Sequence, residues 1–430
     1  MNNPSQNTSG AVSEGDRLEL TIDRMAHGGE GIATAPDGRV VFVAGAFPGD
    51  TVLAAVEKAK KKFLRAQAVE VREAGQYRVA SACPAADRGA GCCDFAAVDP
   101  AREAELKKDV LLDQLRRVAH VDVLPEVDTV NLAPARGWRT RVRLGVDAEG
   151  RAGTRVRGSH ELVTDVACTQ LVPGLVDGLV GPDARRFTPG AEVIAVMDSE
   201  GERHVVESKK QGRGKRVETI RSVIEGSADV VEQVHGLTYT FPATAFWQAH
   251  VTAPEAYSTL VEKLLTEPTS TGSADMSRPT ASQQVGWDLY GGVGLFVPAI
   301  AHALGTDNQP GKVVSVDYSR AATKRRQSDL RQFDVEVINK RVEEACEQLE
   351  SPSAVVLDPP RVGAGQKVVA SVAQAEPNRV VHIGCDPATF SRDVQYWAEH
   401  NFHIERLTLV NAFPGTHHFE VLALLTPRPH

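Results

Sequence analysis

The chain has 430 residues and a formal net charge of −8 at pH 7. A chain of this length is too long to fold around one hydrophobic core, so we expect two or three domains. No apolar run is long enough to cross a bilayer, which excludes a helical membrane protein. The polar start lacks the basic and apolar segments of a signal peptide, so we expect a cytoplasmic monomer without a membrane partner.

Residues 1–15 are polar and rich in Asn, Ser and Gly, and this composition predicts a disordered tail. Residues 16–73 alternate short apolar and polar runs with Gly and Pro turns, a pattern typical of a small β-barrel. The predicted strands are Leu18–Ile22, Arg39–Val43, Asp50–Val56 and Phe63–Val69.

The central region, residues 74–245, combines a predicted helix, Pro100–Ala119, with arginine-rich strands and is expected to form a small α+β domain. Seven arginines and two acidic residues lie between Arg136 and Arg157, and further basic clusters occur at Lys58–Arg65 and Lys209–Arg216. One such cluster is usually a solvated surface. Three of them on an acidic chain favour a nucleic-acid partner.

Residues 246–430 alternate apolar strands with helical segments, which predicts a Rossmann-like, doubly wound α/β domain. Residues 265–284 are rich in Ser, Thr, Pro and Gly without periodicity and predict a loop insertion. The predicted strands are Val285–Leu289, Val313–Val316, Ala354–Leu357 and Arg379–Ile383, with a helix over Arg320–Gln332. In such a sheet, ligands bind beyond the carboxyl ends of the strands.

Motifs follow three of these strands. The glycine turn Asp288–Phe296 follows the first strand, and glycines let the backbone approach a ligand closely. Asp317 follows the second strand, where a carboxylate can accept both hydroxyls of a ribose. Asp358-Pro359-Pro360-Arg361 follows the third strand, and its two prolines hold the carboxylate rigidly. A nicotinamide site is disfavoured, because Phe296 stands where the dinucleotide motif requires a third glycine.

Together these motifs resemble the S-adenosylmethionine-dependent RNA 5-methyluridine methyltransferases. The segments that carry the resemblance are Phe246–His250, Asp288–Gly294, Asp317, Asp358–Arg361, Cys385–Pro387 and Phe413–Glu420. Residues 16–73 resemble a TRAM domain, an OB-like barrel of RNA-modifying enzymes. The segments that carry this second resemblance are Ala26–Gly31, the Phe47–Asp50 turn and the lysine run after it.

The family resemblance implies an RNA substrate and S-adenosyl-L-methionine as cofactor. It also implies cofactor contacts by Gln248, Tyr290, Asp317 and Asp358. Some positions depart from the family pattern, which usually has Cys at 291, Asn at 250, Ser at 384, Asn at 386 and Asp at 411. The residues here are Gly291, His250, Gly384, Asp386 and Asn411.

The chemistry of uracil methylation requires a thiolate and a base. The 5-carbon of uracil is too weak a nucleophile to attack a sulfonium methyl group until a thiolate adds to the neighbouring 6-carbon. Afterwards a base must remove the 5-proton so that the thiolate can leave. Cys385 is the predicted nucleophile and Glu420 the predicted general base, although Asp386 beside Cys385 opposes thiolate formation.

Other reactions and substrates stay open. Cytosine 5-methylation also uses a thiolate, but those RNA enzymes place a Cys after the proline of the third-strand motif, and none is present beside Arg361. Likeness to the TRAM-bearing ribosomal branch predicts 23S ribosomal RNA as the substrate, with transfer RNA as the alternative. A catalytically inactive RNA-binding protein on the same fold is a further hypothesis.

Four cysteines precede the α/β domain: Cys83, Cys92, Cys93 and Cys168. They resemble the iron–sulfur ligands of the ribosomal branch, and four thiolates suit a [4Fe–4S] cluster. The spacing departs from that branch, because eight residues separate the first two and the next two are adjacent. Zinc is the alternative, as is a site that has lost its metal.

Overall fold

The computed structural model describes residues 11–213, 216–269, 283–306, 309–318 and 327–429. The chain divides into two compact units. The first contains residues 1–82, 93–111 and 415–417, and the second contains residues 83–92, 112–414 and 418–430. No helix within the described ranges has the length and apolar character that a membrane span needs.

The first unit contains a six-stranded, barrel-like sheet, which confirms the predicted OB-like fold. Its strands are β1 (Arg17–Thr21), β2 (Arg24–Met25), β3 (Gly31–Thr34), β4 (Val40–Ala44), β5 (Thr51–Ala59) and β6 (Phe63–Glu73). They pair in the order β1-β5-β6-β4-β3-β2, and all of these pairs are antiparallel except β4–β6. Bulges along β5 and β6 bend the sheet around its core.

A buried carboxylate fixes the Phe47–Asp50 turn of this barrel. Asp50 is fully buried and accepts backbone hydrogen bonds from Phe47 and Gly75, each at 2.8 Å. Arg78 donates to the same carboxylate from Nε at 3.0 Å and from Nη2 at 2.7 Å. Hydrogen bonds to a charged group contribute about 1.5–3 kcal/mol each, which explains why an acid can be buried here.

Residues 11–15 belong to the barrel, and the expectation of a disordered tail is wrong for them. Val12 packs into the barrel core, and its N–H donates to Asp37 Oδ2 at 2.9 Å. Gly15 donates to the carbonyl of Val56 at 2.9 Å. One apolar side chain and two backbone hydrogen bonds are enough to order a segment whose composition alone predicts disorder.

The central part of the chain forms antiparallel sheets and two helices. In chain order its elements are α1 (Pro84–Asp87), α2 (Glu103–Val118), β7 (Val127–Asn131), β8 (Arg141–Val146), β9 (Ala152–Arg155), β10 (Leu162–Val163), β11 (Glu192–Met197), β12 (Arg203–Arg213), β13 (Arg216–Glu225), β14 (Asp229–Val234) and β15 (Leu237–Pro242). One six-stranded antiparallel sheet has the order β10-β9-β8-β11-β12-β13, and β14 and β15 form a hairpin.

The last part of the second unit is an α/β fold. Its strands are β16 (Val285–Leu289), β17 (Lys312–Val316), β18 (Val335–Ile338), β19 (Ala354–Leu357), β20 (Arg379–Gly384), β21 (Phe402–Asn411) and β22 (Glu420–Pro427). Its helices are α3 (Ala253–Thr266), α4 (Val297–Leu304), α5 (Val342–Ala345), α6 (Gly365–Gln374) and α7 (Pro387–Glu399), with 3-10 turns at Asp329–Gln332 and Cys346–Gln348.

The strands form one eight-stranded sheet in the order β18-β17-β16-β19-β20-β22-β21-β7. The first five are parallel, and β22 runs antiparallel to β20. Strands β16, β19 and β20 are buried along their whole length, as expected for a parallel sheet covered on both faces. The predicted doubly wound α/β fold is confirmed.

The structure differs from the sequence pattern of this domain at one strand and one helix, and part of the predicted insertion lies outside the described residues. Strand β7 comes from the central region of the chain, yet it pairs in parallel with β21. The predicted helix Arg320–Gln332 falls mostly outside the described residues, and its described end is a 3-10 turn. Within the predicted insertion at residues 265–284, α3 continues to Thr266 and residues 270–282 lie outside the described ranges.

Candidate active site

Three predicted cofactor contacts emerge at one edge of the sheet. The last residues of β16, β17 and β19 are in register. Tyr290, Asp317 and Asp358 each follow directly after one of these strands, and the N–H of Asp358 donates to the carbonyl of Leu289 at 3.3 Å. The strand order reverses between β16 and β19, so the three residues surround the switch point where open α/β sheets bind ligands.

Cys385 and Glu420 come together at neighbouring strand ends of the same sheet. Strand β20 ends at Gly384, which pairs with Val421 in β22. Cys385 directly follows Gly384, and Glu420 directly precedes Val421. Because β22 runs against β20, its amino end lies at the carboxyl ends of the parallel strands. The antiparallel strand is therefore what brings the predicted base to the predicted nucleophile.

Carboxyl groups with raised pKa values line this edge. Burial and the charge of Asp358 raise the pKa of Glu420 well above its ordinary value, while Arg361 opposes this change. Burial and the charge of Asp288 raise the pKa of Asp358 to about 7. Glu420 is 6% exposed, and its Oε2 atom has no hydrogen-bond partner among the described residues. Carboxyl groups perturbed in this way are typical of sites that transfer protons.

Cys385 is a protonated thiol in the free protein. It is half-buried, and burial together with the charges of Glu420 and Asp358 raises its pKa to about 12. Arg361 lowers the pKa of this thiol and Asp386 raises it, both to a smaller extent. Since the thiolate is the nucleophile, the thiol of Cys385 still has to lose its proton when the substrate binds.

Asp386, the acid that opposes the thiolate, also caps the following helix. Its carboxylate accepts hydrogen bonds from the backbone N–H groups of Ala388 and Thr389 at 3.1 and 2.9 Å. These bonds satisfy the free N–H groups at the start of α7, and the helix dipole compensates part of the negative charge. The departure from the family residue thus has a local structural role.

Helix α7 holds the segment that follows Asp358. The hydroxyl of Thr389 donates to the carbonyl of Arg361 at 2.9 Å, and Arg392 donates to the next carbonyl at 2.8 Å. Asp393 is fully buried and accepts hydrogen bonds from two N–H groups of the same segment at 2.7 and 3.3 Å. The helix that begins after Cys385 therefore fixes the backbone that carries Arg361.

The turn after β16 combines left-handed backbone conformations with a close approach of other side chains at Gly291. Tyr290, Gly292 and Gly294 have φ values of +63°, +57° and +88°, a region that favours glycine. A Cβ at Gly291 would lie 2.2 Å from Asp288 Oδ2 and 2.3 Å from the hydroxyl of Ser315. The glycine that replaces the usual cysteine therefore leaves room for the buried pair beneath it.

Asp288 forms that buried pair. Its Oδ2 atom accepts a hydrogen bond from the hydroxyl of Ser315 at 2.9 Å, and its Oδ1 atom has no partner among the described residues. Burial raises the pKa of Asp288 to about 7, and the charge of Asp317 contributes to the increase. An acid of this kind under a ligand-binding turn is expected to find a partner when a ligand binds.

Asp317 fixes the glycine turn from the neighbouring strand. The N–H of Gly292 donates to its Oδ2 atom at 3.0 Å. A Cβ placed on Gly292 would meet no atom within 4 Å, so the turn faces open space. The carboxylate that is predicted to bind a ribose thus lies beside a turn whose backbone a ligand can approach.

Gln248 and His250 lie before α3. Gln248 is buried, at 7% exposure, on the segment that enters the helix. His250 replaces the family's asparagine and stacks on Trp138 with ring centroids 5.3 Å apart. Its Nδ1 accepts the N–H of Thr252 at 3.2 Å, its Nε2 lies 3.2 Å from the carbonyl of Pro134, and burial lowers its pKa to about 4. The neutral ring therefore serves packing.

Two side chains that the sequence patterns did not identify hold the loop before Glu420. Trp138 is fully buried and donates from Nε1 to the carbonyl of Pro414 at 3.2 Å. The buried Gln170 donates to the same carbonyl at 3.0 Å. Neither residue belongs to a recognisable motif, because a hydrogen bond to a distant backbone carbonyl leaves no local pattern in the sequence.

The structure brings three of the four early cysteines together within the second unit. Cys83 Sγ lies 3.9 Å from Cys92 Sγ and 3.8 Å from Cys168 Sγ. Cys93 follows Cys92 directly in the chain. Cys83, Cys93 and Cys168 are buried and Cys92 is half-buried. Cys346 is buried far along the chain, in the 3-10 turn after α5.

Comparison with known proteins agrees with this arrangement. The model of the TRAM domain matches residues 11–69, and the model described as tRNA (Uracil-5-)-methyltransferase matches residues 329–428. A protein of Corynebacterium glutamicum described as an uncharacterised RNA methyltransferase is 49% identical, with 96% of this chain and 97% of that protein covered. The chain belongs to the family of these RNA methyltransferases.

Two further relatives extend the comparison for this methyltransferase. The 23S rRNA (uracil(1939)-C(5))-methyltransferase RlmD of Chromohalobacter salexigens is 28% identical, with 95% of this chain and 89% of that protein covered. The crystal structure of Pyrococcus abyssi tRNA (uracil-54, C5)-methyltransferase with S-adenosyl-L-homocysteine matches with a TM-score of 0.67. It is 18% identical and covers 95% of this chain and 100% of that chain, which supports the fold.

The strand edge of this methyltransferase fits S-adenosyl-L-methionine. The open cradle at Gly292 offers backbone approach, and Asp317 beside it offers a carboxylate to ribose hydroxyls. The cofactor carries a positive sulfonium, which suits an edge lined by Asp288, Asp317 and Asp358. The open backbone at Gly292 and the carboxyl groups at this edge are therefore compatible with the cofactor of the family.

The cysteine site of the methyltransferase has the donor set of a metal centre. Four thiolates suit either an iron–sulfur cluster or a single zinc ion. Zinc–sulfur bonds of about 2.3 Å in a tetrahedron place the sulfur atoms about 3.8 Å apart, close to the two measured distances. A four-iron cluster occupies the space among its ligands and would hold the thiolates farther apart.

Proposed function

We propose that this methyltransferase transfers a methyl group to the 5-carbon of a uridine in RNA through a covalent bond between Cys385 and the base. The observation that carries the proposal is the pairing of β20 with β22, which places a single cysteine opposite a buried glutamate. Asp358 follows the end of β19, the strand that pairs with β20 on the side of the predicted cofactor contacts. A nucleophile, a base and a cofactor edge are the three elements that this reaction needs.

The protein's residues divide the reaction into three steps. The sulfur of Cys385 adds to the 6-carbon of uracil, and its proton leaves to solvent or to a neighbouring carboxylate. S-adenosyl-L-methionine, when bound, supplies an electrophilic methyl group for the 5-carbon, which the addition has made nucleophilic. Glu420 then takes the proton from the 5-carbon, the 5,6 double bond re-forms, and Cys385 leaves as the thiolate.

A basic groove on the central sheet supports RNA as the partner. The groove has a volume of about 550 Å³ and is lined by Arg155, Lys210 and Arg221 together with the acidic residues Asp147 and Glu161. Among the described residues, these three side chains have no acidic partner. Arg143 in the same groove pairs with Glu192 at 2.7 Å, and the half-buried Arg141 lies 3.4 Å from the buried Glu232, so part of the arginine-rich segment serves the fold. Unpaired cations along one sheet face suit RNA phosphates.

We infer that 23S ribosomal RNA is the substrate and that transfer RNA is the second candidate. The likeness to RlmD over 95% of this chain favours ribosomal RNA, whereas the structural relative from Pyrococcus abyssi acts on transfer RNA. Mapping of 5-methyluridine in both RNAs from a deletion strain tests this choice. Loss of the modification from transfer RNA alone would contradict it.

The mechanism is tested with Glu420→Gln and RNA. Addition and methyl transfer should proceed in this variant while removal of the 5-proton fails, so turnover should fall by about 10²–10⁴-fold. A methylated RNA–protein adduct that survives denaturing gels should accumulate and should map to Cys385. RNA that contains 5-fluorouridine should trap the unmutated enzyme as the same kind of covalent adduct. An adduct on any other cysteine would overturn the assignment of the nucleophile.

A further inference from the structure

Tyr257 is a buried tyrosine with an unpaired hydroxyl. It lies in α3 and is 1% exposed. Its hydroxyl oxygen is inaccessible to solvent and has no hydrogen-bond partner among the described residues. Buried hydroxyl groups are nearly always hydrogen-bonded, and leaving one unpaired is costly. An unpaired one beside an active site indicates a group that finds its partner in another state of the enzyme.

Helix α3 is held against the two strands that carry the catalytic residues. Arg379, the first residue of β20, donates from Nη1 to the carbonyl groups of Leu265 and Glu267 at 2.8 and 2.7 Å and so caps the end of α3. Tyr257 shares one apolar core with Ile383 of β20 and Leu422 of β22. These strand residues lie two positions from Cys385 and from Glu420, respectively, so the core that contains the tyrosine ring extends to the strand ends that carry both residues.

The charges around Tyr257 come from the same site. Burial and then the charges of Glu420, Asp358 and Cys385 raise the pKa of Tyr257 well above its ordinary value. The hydroxyl therefore keeps its proton at neutral pH and can only donate to a negative neighbour. The first of these neighbours, Glu420, has its Oε2 atom buried without a partner among the described residues. One buried unpaired donor and one buried unpaired acceptor thus interact electrostatically in this part of the core.

We propose that Tyr257 is a positioning residue for Glu420, and that its hydroxyl donates a hydrogen bond to the glutamate carboxylate, directly or through one buried water, while RNA is bound. The proposal rests on the proposed function, because it concerns the residue that removes the 5-proton. The titratable and charged groups that interact electrostatically with Glu420 are Asp358 and Arg361 from the segment after β19, Cys385 after β20 and Tyr257 from α3.

The consequence concerns the proton-removal step alone. A hydrogen bond to the charged form of a carboxyl group lowers its pKa, and here it opposes the increase caused by burial and by Asp358. Without the tyrosine hydroxyl, the pKa of Glu420 rises further. Glu420 then forms its carboxylate only at a higher pH. The acid limb of the pH–rate profile of the elimination step therefore moves to higher pH. Addition of Cys385 to the base does not depend on this bond.

The test is Tyr257→Phe, which removes one oxygen atom and keeps the ring. In single-turnover reactions from pH 6 to 9, the acid limb of the pH–rate profile for elimination should move up by about one pH unit. At pH values below this limb, elimination should slow by about tenfold. The methylated adduct should accumulate, as in Glu420→Gln but to a smaller extent. In the Glu420→Gln background, Tyr257→Phe should add no further defect. Tyr77→Phe, at a buried tyrosine of the other unit, is the matched control and should leave the profile unchanged.

Three results would overturn the proposal. The first is a Tyr257→Phe enzyme whose pH profile and adduct level match those of the unmodified enzyme. The second is an equal loss at every pH without adduct, which would assign the hydroxyl to folding. The third is slower trapping by 5-fluorouridine RNA, which would assign it to Cys385. Unmodified enzyme that makes no 5-methyluridine would instead overturn the proposed function, and with it this inference.

Discussion

The catalytic edge and the four-cysteine site both gather residues that are distant in sequence, but they do so by different means. At the catalytic edge, Asp317, Asp358, Cys385 and Glu420 stand at the ends of strands that are hydrogen-bonded to one another. The cysteines instead lie in a helix cap, a turn and a loop, with no strand among them.

The difference shows where sequence motifs are reliable. A residue after a buried strand has its position fixed by the sheet, so its neighbours follow from strand order and register. A residue in a loop is placed by packing, and its spacing along the chain can vary while its position in space is kept. The catalytic motifs match the family pattern closely, whereas the cysteines depart from it and still converge.

The largest expected effect separates the two kinds of cysteine. Cys385→Ala removes the group that adds to the base, so methylation should fall by about 10⁴-fold or more and no adduct should form. The matched control is Cys346→Ala, a buried cysteine that does not lie at the strand ends carrying Cys385 and Glu420, which should stay within about threefold of the unmutated enzyme. Rates of tritiated methyl transfer measure both. Residual methylation by Cys385→Ala at more than a few per cent would exclude the covalent route.

The pH dependence of trapping should follow the thiol. Because the pKa of Cys385 is raised to about 12, the fraction of thiolate increases with pH throughout the neutral range. The rate of adduct formation with 5-fluorouridine RNA should therefore rise by about tenfold per pH unit between pH 6 and 8. Quench-flow measurement of the adduct tests this slope. A rate independent of pH would mean that RNA binding itself ionises the thiol.

A smaller effect is expected at the cofactor edge. Asp317→Ala removes the carboxylate that holds Gly292 and that stands beside the open cradle. Loss of hydrogen bonds to a charged group should weaken S-adenosyl-L-methionine binding by about 10–100-fold. Isothermal titration measures the affinity, and Asp334→Ala, on the amino side of β18 in the same unit, serves as the control. Equal affinities in the two variants would remove Asp317 from the cofactor site.

The smallest effect on activity is expected at the cysteine site. From the family resemblance, protein purified without oxygen should be brown and contain about four iron and four sulfide per chain. Cys168→Ser should lose the metal and lower the thermal midpoint while methylation stays within about threefold, because no step of the reaction transfers electrons. One zinc per chain in colourless protein would agree with the sulfur spacing and replace the cluster. Metal-free protein from iron-replete cells would contradict both assignments.

The sequence by itself determined the chemistry-bearing residues and the fold class. Apolar strands alternating with helices predict a parallel sheet, and the motifs at Asp288, Asp317 and Asp358 each follow such a strand. Their proximity could be predicted because parallel strands end at one edge. Glu420 was identified from the family motif, but its meeting with Cys385 depends on the antiparallel β22. No local pattern indicates that direction.

Only the tertiary structure decided which groups support the site. Trp138, Gln170 and Tyr257 lie in three separate segments that carry no motif, yet two of them hold the Pro414 carbonyl and the charge of Glu420 raises the pKa of the third. The raised pKa values of Cys385 and Glu420 likewise come from burial and from neighbours contributed by other strands. A side chain's chemistry is written in the sequence, but its dielectric surroundings and hydrogen-bond partners exist only once the chain has packed.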